Sequence, residues 1–182
     1  MSDTMSESAE TEKETVKKAK KREEELIIRI AKPDDLETVM EGAVQAFAEI
    51  GMAPPDPARV LGEILPALNQ DRGFVGLICG PDGKPEGGVL LRIGKMWYSD
   101  EDVLEERVVF IFPEYRHLRP SRAKKLVEFS KKTAEDLGLP LLIGIMSTVR
   151  TEAKVRMYER QFGKPAGAVF LYNMPPKEVE RD

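Results

Sequence analysis

The 182-residue chain has little of what would announce a disulfide scaffold, a metal centre or a membrane span. It holds one cysteine, Cys79, so no internal disulfide can form, and one histidine, His117, which excludes a His-rich metal site. No apolar run approaches the roughly 20 residues that cross a bilayer, and the N-terminus lacks the apolar stretch of a secretory signal. An excess of charge of one sign is missing as well: 28 Lys and Arg face 32 Asp and Glu, a net charge of −4. That balance disfavours nucleic acid bound along a broad phosphate-tracking face. Neither G-x-x-x-x-G-K-[ST] nor G-x-G-x-x-G occurs, so NTP hydrolysis and dinucleotide binding have no support. These absences fit a soluble protein of the reducing cytoplasm, with no membrane partner.

What is present suffices for one domain with a real core, since 41% of the residues are hydrophobic. Residues 1–25 stand apart from it, with eight acids and six bases and almost nothing that could be buried. This composition predicts a disordered or loosely helical tail; a solvated segment and a partner-binding arm both fit it. Residues 26–182 then carry twenty-four acids against twenty-two bases; the folded part is expected over residues 26–174, and a polar Pro-rich end follows over residues 175–182.

Within the folded part the hydrophobic period alternates between strand and helix. LIIRIA, residues 26–31, reads as a strand, and Asp34 or Asp35 can cap the helix after it. Leu36, Val39, Met40, Ala43, Phe47 and Ile50 share one face of that helix, which stops at Gly51. A second short helix carries Val60, Leu61, Ile64, Leu65 and Leu68, with Pro66 shortening or kinking it. Three strands follow: GFVGLICG and GGVLLRIGKMW about a PDGKPE hairpin turn, then VLEERVVFIFP. PSRAKKLVEFSKKTAEDLG is a helix with Ala123, Leu126, Val127, Ala134 and Leu137 on one face and Gly138 as its stop. LPLLIGIMS reads as a buried strand, joined to the preceding one by a crossover and hence parallel to it. A last helix covers residues 151–161, and AVFLYN closes the sheet. The order β-α-α-β-β-β-α-β-α-β defines an α+β domain with a mixed, mostly antiparallel sheet flanked by helices.

The stretch richest in chemistry is VVFIFPEYRHLRPSRAKKLVEF, where an apolar strand passes through a tight turn into a helix. Free amides and the positive dipole end at a helix start make a seat for phosphate. Arg116, Arg119 and Arg122 add cations in the turn, and Lys124 and Lys125 follow. An ordinary solvated basic helix face is the competing reading.

The strand order, FPEYRHLRPSRAKKLVEFSKKTAEDLG and the later VRMYERQFG resemble the GNAT superfamily of acyl-CoA-dependent N-acyltransferases over residues 26–173. In that family a Q/R-x-x-G-x-G/A turn after the fourth strand holds the coenzyme A pyrophosphate on its amides. Arg116 takes the first position here, while the two glycine positions fall on Arg119 and Ser121, a substitution similar to that in GNAT-like proteins of phage genomes. Glycine permits close backbone approach; an arginine can replace part of that contact by pairing with phosphate directly. The resemblance implies that His117, Leu118 and Arg122 also border the coenzyme, and that its pantetheine arm runs along Phe110, Ile111 and Phe112, where the fourth strand splays from the fifth. The side chains of these three residues are core in either case.

The resemblance also implies acetyl transfer from acetyl-CoA to an amine by direct attack, with Tyr158 as general acid towards the leaving sulfur and Glu105 as base. Tyr158 is otherwise an amphipathic contact spaced with Val155 and Phe162, and Glu105 a solvated strand end. Glu106 lies on the opposite side of the strand from Glu105. A catalytically inactive GNAT-fold binding or interaction module is the alternative to the enzyme, and a homodimer is open. Cys79 reads as a core thiol. Trp97 and Tyr98 can stack on a substrate or cover the sheet.

Overall fold

The computed structural model of the protein describes residues 26–116, 121–147 and 150–169. The tail over residues 1–25 and the core of the expected closing strand, residues 170–173, lie outside the described residues. The β-branched run after Leu26 forms strand β1, Ile27–Ile30, and a 3-10 turn at Pro33–Asp35 leads into helix α1, Leu36–Ile50. Asp35 does not cap α1 with its side chain. Its carboxylate instead accepts from the Lys32 amide at 2.8 Å and from both terminal nitrogens of Arg29 at 2.7 Å. A bidentate charge-assisted pair outcompetes a single amide, so the expected cap becomes a tie between β1 and the turn. The Arg29 hydrogen bond also holds the Asp35 carboxyl below its usual range. Gly51, at φ 69°, ends α1 in the left-handed region.

Helix α2, Pro57–Leu68, begins on Asp56, whose carboxylate accepts from the amides of Ala58 at 2.8 Å and Arg59 at 3.3 Å. Pro66 falls in its last turn, where few further helical bonds remain to be lost. Val60, Ile64, Ala67 and Leu68 are buried, whereas the expected core residue Leu65 faces outward.

Strands β2, Gly73–Cys79, β3, Pro85–Lys95, and β4, Asp102–Ile111, form the expected meander. The hairpin turn is tighter than PDGKPE suggests: Gly80 and Lys84 pair across it, Gly83 takes φ 78°, and Pro85 and Glu86 belong to β3. Helix α3, Ser121–Leu137, then crosses over to β5, Leu141–Ile143. The five strands lie in the order β1-β2-β3-β4-β5, antiparallel except for β4 with β5. Helix α4, Thr151–Phe162, follows.

Two cores sandwich the sheet. On one face α1 and α2 close over Val75, Leu77, Leu90, Val108 and Phe110; on the other α3 closes over Ile78, Val89, Leu91 and Leu104 through Leu126 and Ala134. Gly42 lets α1 lie directly on β4, because a Cβ there would sit 2.2 Å from the Phe110 ring. The buried strand expected over LPLLIGIMS is reduced to three residues, and Leu142 and Met146 are exposed. The α3 stripe also differs from expectation: Arg122 and Ser130 are buried in it, while Leu137 is exposed. Among the described residues no helix is long and apolar enough to cross a membrane.

Candidate active site

The site is organised by an irregularity in β4. Leu90 of β3 pairs with Val108 but the next residue, Leu91, pairs with Glu106, so Arg107 is an extra residue in the ladder. A bulge of this kind resets the alternation of side chains and increases the local twist. Before it, Leu104 and Glu106 face α3; after it, Val108 and Phe110 face α1 and α2, and Val109 and Ile111 take over the α3 side. The pairing to β5 stops at the same point. Leu104, Glu105 and Glu106 pair with Leu141, Leu142 and Ile143, and β4 then continues for five residues, to Ile111, with no β5 partner among the described residues. This open edge includes Phe110 and Ile111, with Phe112 just beyond; the Phe110 and Phe112 rings are buried in the core and meet edge to face at 5.5 Å.

At the fork stands Glu106. The Tyr158 hydroxyl of α4 donates to its Oε1, and the Ser130 hydroxyl of α3 lies 2.8 Å from its Oε2. Burial pushes the Glu106 carboxyl above the usual carboxylate range, against the opposing pull of the Tyr158 and Ser130 hydrogen bonds. The Tyr158 phenol is held well above its ordinary value, first by burial and then by Glu106. Phe162, one turn on, stacks beside the Tyr158 ring at 6.2 Å. Tyr158 and Glu106 are therefore a hydrogen-bonded, partly buried pair at the point where the two parallel strands part.

Glu105 points to the other face. Its Oε2 pairs with Arg107 at 2.6 Å, and Glu63 of α2 lies 3.5 Å from Arg107 and 3.7 Å from Arg92. This is a half-exposed network of alternating charges beside the α1 and α2 side of the sheet. Of the two carboxylates that the sequence offers on this strand, the structure brings Glu106 to Tyr158 and Glu105 to Arg107. Reading from sequence missed Ser130 altogether; its signal was a lone hydroxyl residue on the Leu126, Val127, Ala134 stripe of α3.

The basic turn is more occupied than its sequence suggests. Arg116 donates to the Ile111 carbonyl at 2.7 Å and to Glu49 of α1. Arg122 is almost wholly buried, its guanidinium paired with Glu86 of β3 and lying 5.5 Å from the Tyr115 ring centroid. Lys124 pairs with Glu128 at 3.5 Å, and Lys125 donates to the Leu26 carbonyl at 3.2 Å. Ser121, the first residue of α3, has a buried hydroxyl oxygen without a hydrogen-bond partner among the described residues. His117, Leu118 and Arg119 lie outside the described residues. On α4, Lys154 donates to Ser147 at 2.7 Å, and burial lowers its pKa. Cys79 is a buried core thiol whose pKa burial raises. Trp97 and Tyr98 do not cover the sheet: they meet edge to face at 5.4 Å and are exposed, Trp97 by 93%.

No protein-family model matches the sequence, and no curated protein is significantly similar to it. Solved structures do match the fold. A possible acetyltransferase from Clostridium difficile 630 superposes with a TM-score of 0.62 at 16% identity, over 83% of this chain and 99% of that one. The aminoglycoside acetyltransferase AAC(6')-Iy, in complex with a bisubstrate analogue of coenzyme A and acetylneamine, gives 0.61 at 18% identity, over 83% and 99%. A GCN5-related N-acetyltransferase from Ralstonia eutropha JMP134 gives 0.60 at 18%, over 81% and 97%. The mixed α+β sheet with its flanking helices is thus the fold of the GNAT acetyltransferases.

Proposed function

We propose that the protein is an N-acetyltransferase that moves an acetyl group from acetyl-CoA to an amine by direct attack. The observation that carries this reading is the fork in the sheet: β4 leaves β5 after Glu106 and runs on for five residues with no strand partner on that side among the described residues, with Tyr158 beside the fork. Arg116 already donates to the Ile111 carbonyl, and the Phe112 amide donates to the Glu86 carbonyl. The backbone groups of the edge that remain need partners, and an extended pantetheine arm along Phe110, Ile111 and Phe112 can supply amides of the right kind once the Arg116 side chain gives way. The Ser121 hydroxyl, buried without a partner among the described residues at the start of α3, suits a phosphate oxygen next to the helix amides. Arg116 and Arg122 already have carboxylate partners. In this reading Arg119, with His117 and Leu118 around it, supplies the turn's phosphate contact, while Arg116 and Arg122 shape the turn from behind. Tyr158 supplies the proton that the leaving thiolate takes up, and Glu105, on the opposite face, receives one from the attacking amine.

The two engaged arginines are also what favours the competing reading, a GNAT-fold binding module without catalysis. Calorimetry with coenzyme A and acetyl-CoA separates the two. The enzyme requires binding below millimolar concentration, and Tyr158→Phe should then lower kcat by about a hundredfold without changing acetyl-CoA affinity. No binding of either coenzyme A or acetyl-CoA sinks the enzyme, and full turnover by Tyr158→Phe removes the tyrosine from the mechanism.

A further inference from the structure

The hydrogen-bond inventory around Glu106 assigns it a part that the acetyl-transfer reading leaves vacant. Ser130 Oγ lies 2.8 Å from Glu106 Oε2 and 3.2 Å from the carbonyl of Leu126, both acceptors if the carboxyl is ionised. A serine hydroxyl has one proton and cannot donate to both. With a proton on Glu106 two arrangements fit: the first satisfies every contact, and the second leaves only the Ser130 contact with the Leu126 carbonyl unmade. In the first, Glu106 Oε2 donates to Ser130, Ser130 to the Leu126 carbonyl, and Tyr158 to Oε1. In the second, Ser130 donates to Oε2 and Oε1 donates to the phenol oxygen, which frees the phenol proton to point into the fork. The heavy atoms need not move between them. Ser130 is fully buried, and burial favours the neutral carboxyl.

The groups facing Glu106 are Tyr158 from α4, Ser130 from α3, Leu91 across the β3 ladder and Ile143 across the β5 ladder. None carries a charge. Glu105 and Arg107, its neighbours on β4, pair with each other on the other face. Among the described residues Glu106 therefore meets no cation, its one titratable contact is the phenol, and it is only partly exposed.

We propose that Glu106 is a positioning residue and proton reserve for Tyr158: a protonated Glu106, held by Ser130, passes its proton to the phenol oxygen as the phenol passes its own to the departing sulfur. The step balances as thiolate, phenol and carboxylic acid giving thiol, phenol and carboxylate. No charged phenolate forms, which removes the objection that a phenol held so far above its ordinary value is a poor acid. The carboxylate left behind accepts from both hydroxyls, and it is reprotonated through water by the proton that the amine loses on acylation.

The inference rests on the acetyl-transfer reading, and its test has two arms. Spectrophotometric titration of tyrosine ionisation, taken as the difference between wild type and Tyr158→Phe, isolates one of the chain's four tyrosines. Glu106→Gln, which keeps the shape and removes the acid, should bring that ionisation down by roughly one pH unit. In the activity arm Glu106→Gln should lower kcat about tenfold with acetyl-CoA KM unchanged, abolish the fall of kcat as pH rises through the Glu106 titration, and add little to the loss in Tyr158→Phe. An unchanged tyrosine titration, or a wild-type pH profile in Glu106→Gln with turnover intact, overturns the relay alone. A wild type that neither binds nor turns over acetyl-CoA overturns the acetyl-transfer reading and the relay with it, even if the titration shows the pair coupled.

Discussion

Two adjacent carboxylates on β4 live in opposite regimes. Glu105 faces the α1 and α2 side, beside Arg107, Arg92 and Glu63, where each charge has a counter-charge and water is near. Glu106 faces α3 and α4 and meets only the hydroxyls of Ser130 and Tyr158. The residue type, the strand and the sequence neighbourhood are the same. The difference comes from the pleat, which sends successive side chains to opposite faces, and from the bulge at Arg107, which keeps the alternation in step with two different covers. Chemistry that needs a neutral acid and chemistry that needs an ionised base can thus be held one residue apart.

The sharpest way to probe this contrast is a third carboxylate, Glu86, more deeply buried than Glu106 but matched with a cation. Arg122 supplies the guanidinium, with 4% of its side chain exposed against 1% for Glu86. If burial alone decided the outcome, removing Arg122 would matter little. If the cation does, Arg122→Ala removes the guanidinium paired with the buried Glu86 carboxylate and should destabilise the fold by about 3–5 kcal/mol near neutral pH, read from urea unfolding. A loss under about 1 kcal/mol would contradict this, and it would return Arg122 to the ligand side of the turn.

How much of this was legible beforehand follows from the same residues. The order of strands and helices from β1 to α4 could be read because period, Gly51 and Gly138 are local signals. The site could be read only halfway. Tyr158 and the two glutamates stood out as residue types, but the partner of each depends on a one-residue bulge between Leu90 and Leu91 on one strand and at Arg107 on the other, which no composition or spacing marks. Arg122 was misleading for a related reason. A cation two residues into a helix reads as phosphate-binding unless a buried acid waits for it, and Glu86 lies far away in sequence, at the start of β3. Leu65 and Leu137 show the same limit in the core: both fit the apolar stripe, and both sit where the covering layer ends.

Glu106 itself should reveal its state through pH. Its folded pKa lies above the unfolded value, so it favours folding fully when both forms are protonated, and that contribution is lost as pH rises from the ordinary carboxyl range through the raised value. Wild-type stability relative to Glu106→Gln should therefore fall across that window, by at most about 1.4 kcal/mol per pH unit, and level off above it. A difference that rises with pH would mean an ionised, hydrogen-bonded Glu106 in the folded state, and the contrast with Glu105 would collapse.

The smallest effect belongs to Glu105. Its ion pair with Arg107 is half open to solvent, Arg107 keeping 44% of its side chain exposed, and Arg107 retains Glu63 as a second acid at 3.5 Å. Exposed pairs of this kind contribute little because water competes for both charges and the side chains lose freedom in holding one geometry. Glu105→Gln should change stability by less than about 1 kcal/mol, and the change should shrink with added salt as screening weakens the network. Its effect on turnover has to come from elsewhere: if Glu105 takes the amine's proton, kcat falls in Glu105→Gln while the unfolding curve hardly moves. A large, salt-independent loss of stability in Glu105→Gln would show that this face of β4 is as dry as the other, and the separation into an ionised and a neutral acid would no longer hold.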